Sequence, residues 1–327
     1  MTTEYFESCT EQVLLPVADN YFQAELAGDL DVLAEVGNRP VIFLGNHAGA
    51  CLSWDNIVFD ALLWRAARLA GHPVKLERLV HTTLFRDQVS PFLVPRWWAA
   101  MRCHEATLAE FDRLCAQRSA IYISPEGIAG LTKGHHRANE LVRFSSSFIH
   151  MAKKHRALVV PVTVANSAYL NPFTRTSALI DRLTHRLIGL PFLPLGPLLP
   201  MILVPRNFIA AMPARLRYRV HAPLDFADRG PDQRELNRRQ AEQLRVWMQR
   251  ELARANSPAA VAMPVPQAWR SRRKHRGANP FQHYREFWEH HLGRPLTRGE
   301  RITFSTPVVG YLLIRRRIQR GSYPCAA

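Results

Sequence analysis

The feature that most constrains this chain is an unbroken apolar run, Val41-Ile42-Phe43-Leu44-Gly45, closed by Asn46 and His47. A run of that length bounded by Gly-Asn reads as a buried strand handing over to a loop and then a helix. In open α/β sheets, groups at the carboxyl ends of strands line the crevice where ligands sit, so His47 stands at an active-site address. The competing reading is a histidine that caps or packs the turn.

Two further stretches repeat the design. Ala120-Ile121-Tyr122-Ile123 is a short β-rich run followed by Ser124-Pro125-Glu126-Gly127 and a glycine-rich loop. Proline fixes φ and glycine admits conformations closed to other residues, so the pair holds the carboxylate between them in one place. About 30 residues on, Leu158 to Val164 forms another buried strand, at the spacing of a βαβ unit. The expected fold is α/β, a mixed and largely parallel central sheet flanked by helices, with a basic helical C-terminal extension.

Asn46-His47 with a downstream Asp55, then Pro125-Glu126-Gly127 after a strand, then a helix leading into Val160-Pro161-Val162, resembles the lysophospholipid and glycerolipid acyltransferase superfamily over roughly residues 38 to 226. The resemblance implies His47 as catalytic base, Asp55 as its partner, and an acceptor site at Pro125, Glu126 and Gly127 with Asn46 beside it. Arg102, 23 residues before Pro125, lies near the position where phosphate-binding members carry an arginine. One departure stands out: the family places the aspartate five positions after the histidine, whereas Asp55 lies eight positions on. Either Ala48 to Cys51 bulge and return Asp55 to the imidazole, or Asp55 serves as the N-cap of the following helix. The chemistry asks for these residue types. Acyl transfer from a thioester needs a base for the acceptor hydroxyl, histidine titrates near neutrality, and a carboxylate on its other nitrogen fixes the tautomer. Backbone N–H groups around Gly127 or in the loop after His47 are the candidate oxyanion donors.

The resemblance implies no cofactor, with acyl-CoA or acyl carrier protein as co-substrate. No metal site is expected, since His135-His136 has no second cluster at ligand spacing. Five cysteines without a CxxC pair point to a reducing compartment, and Met1 to Ser8 carries no secretory pattern, so a cytoplasmic, peripheral membrane protein is expected.

The formal net charge of +16 is concentrated at one end, where residues 264–327 hold 13 Lys and Arg against 3 acids. That balance suits an anionic membrane surface, and the partners expected are that surface, a lipid acceptor and the acyl donor, with nucleic acid as the rejected alternative. The segment 188–205 is uncharged and interrupted by five prolines, which reads as an apolar loop dipping into one leaflet or as a buried connection, and not as a spanning helix. The organisation expected is an N-terminal helical segment (1–37), an acyltransferase domain (38–254), a linker (255–266) and a basic extension (267–327). In the extension, the helix opening near Thr306-Pro307 and ending Arg315-Arg316-Arg317 either anchors at an interface or docks on the domain.

Overall fold

The computed structural model describes residues 3–324 apart from 48–52, 73, 86–93, 95, 189–192, 194, 203, 208, 210 and 257–279. Among them the protein forms a mixed α/β fold around an eight-stranded sheet, with helices on both faces. The strands are β1 (Glu25–Gly28), β2 (Val41–Gly45), β3 (Leu76–Val80), β4 (Cys103–Glu105), β5 (Ala120–Ile123), β6 (Leu158–Ala165), β7 (Arg217–Val220) and β8 (Leu224–Asp225). Their order is β1-β7-β6-β2-β5-β3-β4, with β8 pairing β6. The block β6-β2-β5-β3-β4 is parallel, and β7 and β8 run antiparallel to β6. A parallel block must be covered on both faces, which is why β2, β5 and β6 carry no exposed residue.

The helices used below are α1 (Thr3–Cys9), α2 (Trp54–Leu69), α3 (Leu108–Ala116), α4 (Ser147–His155), α5 (Arg234–Ala255), α6 (Pro280–Leu292), α7 (Arg298–Ser305) and α8 (Val309–Gln319). Alternation along β2 divides the interior into two clusters. Val41 and Phe43 face a core shared with α2, while Ile42 and Leu44 face one shared with α3, α4 and α5.

The first core corrects the expected division of the chain. Residues 1–37 are not a separate helical segment, because β1 joins the sheet by pairing parallel with β7. Phe6, Val13 and Phe22 lie in the same cluster as Trp54 and Phe59. The extension is likewise part of this body: Tyr284, Phe287, Trp288, Phe304 and Ile314 join that cluster. The linker at 255–266 and the basic stretch 269–276 fall almost wholly outside the described residues, as do 189–192, 194 and 203 of the apolar segment 188–205. No helix among the described residues is long and apolar enough to cross a membrane.

Candidate active site

β2 and β5 are adjacent and parallel, so the loops leaving their carboxyl ends emerge side by side. That topology brings residues 79 positions apart together: the His47 main-chain N–H donates to Glu126 Oε1 at 3.0 Å. The peptide on the other side of the same residue is held as well, since Lys133 Nζ donates to the His47 carbonyl at 2.7 Å. Lys133 closes the arrangement by donating to Glu126 Oε2 at 2.8 Å and to the Glu140 carbonyl at 2.8 Å, while Val142 N–H also donates to Oε2 at 2.9 Å. Both side chains are buried. A buried carboxylate survives only when paired and hydrogen-bonded, and this one is both.

The imidazole itself meets α2. Asp55 Oδ2 lies 3.5 Å from His47 Nδ1, with the histidine side chain 7% exposed and the aspartate 0%. The eight-residue spacing therefore does bring the carboxylate to the ring; the intervening 48–52 lie outside the described residues. Asp55 is not the helix cap. Ser53 holds that position and Asp55 sits in the first turn, where its Oδ1 accepts the Asn56 N–H at 2.9 Å. Its carbonyl accepts the Tyr218 hydroxyl at 2.6 Å, which ties the turn to β7.

A second pair of groups reaches the ring. Tyr122, on β5, donates its hydroxyl to Asn56 Oδ1 at 2.5 Å, and Asn56 Nδ2 lies 3.5 Å from His47 Nδ1. Burial first, and the Asp55 charge second, push the Tyr122 phenol far above its usual range, so it stays a donor. The contact depends on Gly45, because a Cβ there would sit 1.9 Å from the Tyr122 hydroxyl.

His47 lines a cavity of about 770 Å³ that crosses the carboxyl ends of β2, β5, β3 and β4. Ile57, Leu79, Trp98, Phe111, Ile123 and Ile128 make much of its wall apolar, while Asn56, Ser124 and Ser145 to Ser147 supply hydroxyl and amide groups. A pocket with an apolar wall and a few convergent polar groups is the ordinary form of a small-molecule or lipid-chain site. Among the described residues no cluster of His, Cys, Asp and Glu has the makings of a metal site.

Three of the expected contacts are placed differently. Glu126 does not present its carboxylate to this cavity; its oxygens are consumed by His47, Lys133 and Val142, and only its neighbours Pro125 and Gly127 line the wall. Asn46 is buried and spends Oδ1 on the Val164 N–H at 2.8 Å, pinning the strand end to β6. Arg102 leaves a short helical turn with φ +59°, pairs with Glu77 and does not line the cavity. The arginines in the wall are Arg234, at the start of α5, and Arg78, from β3, which is buried 3.2 Å from Asp60 and donates to the Met101 carbonyl at 3.0 Å. Burial pushes the Asp60 carboxyl up to about 6 against the opposing pull of Arg78 and Arg102. The Gly127 N–H, one candidate oxyanion donor, is taken by the Ser124 carbonyl at 3.0 Å.

No known family profile matches the chain. It is 28% identical over 243 residues to an uncharacterized protein of Mycobacterium leprae, covering 72% of this chain and 60% of that one. Uncharacterized proteins of Mycobacterium bovis and Mycobacterium tuberculosis match at 28% over 251 residues, covering 72% of this chain and 62% of each. The chain thus spans about three fifths of the length of these curated relatives. Among solved structures, a 1-acyl-sn-glycerophosphate acyltransferase from Thermotoga maritima aligns over 75% of this chain and 82% of its own, with 15% identity and a TM-score of 0.41. That overlap is too loose to assign any residue a role.

Sequence reading missed Tyr122, Asn56, Lys133 and Arg78. Tyr122 carried one signal, a polar handle at the centre of an otherwise aliphatic strand. Lys133, in a loop rich in Gly, His and Arg, looks like any solvated cation until the fold buries it.

Proposed function

We propose that the protein is an O-acyltransferase working at a membrane surface, moving a fatty acyl group from acyl-CoA or acyl carrier protein to a hydroxyl of a glycerolipid or lysophospholipid. The observation that carries this reading is a histidine backed at 3.5 Å by a buried carboxylate and facing an apolar-walled cavity of about 770 Å³. His47 accepts the acceptor's hydroxyl proton at Nε2 as that oxygen forms its bond to the thioester carbonyl carbon. The tetrahedral intermediate then collapses, the C–S bond breaks, and the imidazolium returns the proton to the departing thiolate. Asp55 stabilises the imidazolium in between, and no acyl-enzyme forms. Pro125 and Gly127 contribute wall to the acceptor side; Glu126 serves by holding His47.

The test mixes purified protein with labelled acyl-CoA, or labelled acyl carrier protein, and a panel of lysolipid and glyceride acceptors. His47→Ala is expected to lower kcat/KM by about 10² to 10⁴. Full turnover in that variant overturns the mechanism. A second reading, lipid binding without turnover, draws on the 3.5 Å gap between ring and carboxylate, which is longer than a hydrogen bond. It predicts saturable lysolipid binding and no labelled product from any donor.

A further inference from the structure

Among the described residues, the extension leaves one apolar face without a partner. α8 is apolar on two sides. On one, Gly310 fits so closely that a Cβ would stand 2.4 Å from the Thr303 carbonyl oxygen and 3.0 Å from Pro205, and Ile314 is buried. Arg317 on that flank donates to the Tyr323 hydroxyl at 2.6 Å. This face docks on the body of the protein. On the other, Val309, Leu312, Leu313, Arg316 and Arg320 recur at the three- and four-residue steps that form one stripe of a helix. Leu312 is 61% and Leu313 40% exposed, and Val308 (53%) extends the patch at its amino end. Arg315, Arg316 and Arg320 are exposed and make no ion pair among the described residues. Val308 has φ +56°, a conformation that a β-branched side chain adopts only where its surroundings impose it.

We infer that this stripe is a docking surface for an anionic lipid bilayer, with the apolar half inserted at the level of the acyl chains and the arginines reaching back to the headgroups. Charge selects the occupant: Arg315, Arg316 and Arg320 have no acidic partner among the described residues, and the neighbouring Glu300 is buried and already held by Arg294 and Arg317. A second copy of the chain would set these arginines against one another. A protein partner would need about 800 Å² per side, more than five side chains on a helix about 16 Å long can cover. The helix is also too short to span, so it lies in the interface, where long cationic side chains keep their charge in the headgroup layer. This deepens the membrane-surface part of the proposed function and is independent of its chemistry.

The test is co-sedimentation of the full chain with phosphatidylcholine vesicles, with and without phosphatidylglycerol. The parent is expected to bind the phosphatidylglycerol vesicles and to be released by salt. Each basic residue close to an anionic surface is worth about fivefold in affinity, so Arg315→Gln/Arg316→Gln/Arg320→Gln is expected to bind about a hundredfold more weakly. Leu312→Ser/Leu313→Ser, changed only at exposed positions, is expected to lose at least tenfold with unchanged circular dichroism. Parent-like binding by both variants overturns the inference. So does equal binding to neutral vesicles, or a dimer in solution that the leucine variant dissociates. His47→Ala is expected to bind vesicles like the parent. Vesicle binding that depends on the stripe, in a protein that transfers no acyl group, would sink the proposed chemistry and leave the docking surface standing.

Discussion

Replacing Lys133 by methionine removes three donated bonds at once, at 2.7 Å to His47, 2.8 Å to Glu126 and 2.8 Å to Glu140. Methionine fills the volume of the aliphatic stem, so the loss is electrostatic and not a cavity. Breaking a buried ion pair by deleting one partner costs about 3 to 5 kcal/mol, because the survivor keeps its charge without compensation. Glu126 retains the N–H groups of His47 and Val142, at 3.0 and 2.9 Å, which argues for the lower end of that range. Function should suffer beyond stability. Of the two bonds that flank His47 in the main chain only the one at its N–H then remains, and a displacement of about 1 Å at a catalytic group costs about 10²-fold in rate. Glu126→Gln in the same background removes the stranded charge, although its single amide oxygen can keep only one of the two N–H groups, which Glu126 holds on different oxygens. The double variant is therefore expected to recover about 2 kcal/mol relative to the sum of the single changes. Urea unfolding gives the stabilities and kcat/KM with a lysolipid acceptor gives the rate. A Lys133→Met protein with the parental urea midpoint and turnover, or a double variant that is merely additive, would refute the clamp.

Tyr122→Phe deletes the 2.5 Å bond to Asn56 and is expected to cost about 1 kcal/mol in urea unfolding. It should also lower kcat about tenfold with KM unchanged, since what is lost is the orientation of a group beside the ring. Glu300, held far below the usual carboxylate range by the Arg294 guanidinium and the Thr297 groups, should make the extension acid-labile. With the folded value depressed, its stabilisation is complete above about pH 4.3 and is lost as pH falls further. Tryptophan fluorescence on acid titration should show an early transition at Trp288, flattened in Glu300→Gln. Nitrogen-15 spectra of the neutral His47 ring are expected to place its proton on Nδ1; a proton on Nε2 contradicts the assigned base.

How much of this was legible depended on where the information sits. β2, β5 and β6 are apolar apart from Tyr122 and Thr163 because both of their faces are covered, and such runs announce themselves. The edge strands do not. Glu25–Gly28 and Cys103–Glu105 have neither alternation nor β-branched enrichment, and they are strands because β7 and β3 offer them a ladder. The same limit governed the site. His47 and Pro125-Gly127 follow strands that could be recognised, so their meeting at one sheet edge followed from βαβ spacing. What Glu126 does with its carboxylate depended on the burial of Lys133, a long-range outcome that no local pattern encodes. Arg102 and Arg78 show the point from the other side. Both are arginines near the right edge, and the choice between them was made by a left-handed residue that turns one away toward Glu77.

The two groups at His47 Nδ1 make opposite demands, and their burial decides between them. Asp55 Oδ2 is an acceptor, fully buried, with no hydrogen-bond partner among the described residues, and 3.5 Å from the ring nitrogen. Asn56 Nδ2 is a donor at the same 3.5 Å, but Asn56 also lines the cavity. If Nδ1 accepts from Asn56, the Asp55 oxygen is left without compensation, at a cost of about 1 to 3 kcal/mol and more for a charged group. If Nδ1 carries the proton, the asparagine amide turns its hydrogens toward water or ligand in the cavity at little cost. Even across a gap longer than a hydrogen bond, the charge of the buried carboxylate favours the proton on Nδ1, which leaves Nε2 its lone pair. Tyr122 holds Asn56 by its oxygen, so the amide keeps its donor side toward the ring and cavity and cannot compete with Asp55 as an acceptor. In the proposed reaction the aspartate acts on the acceptor hydroxyl through the tautomer that it favours, from the first turn of α2 and across the longer spacing.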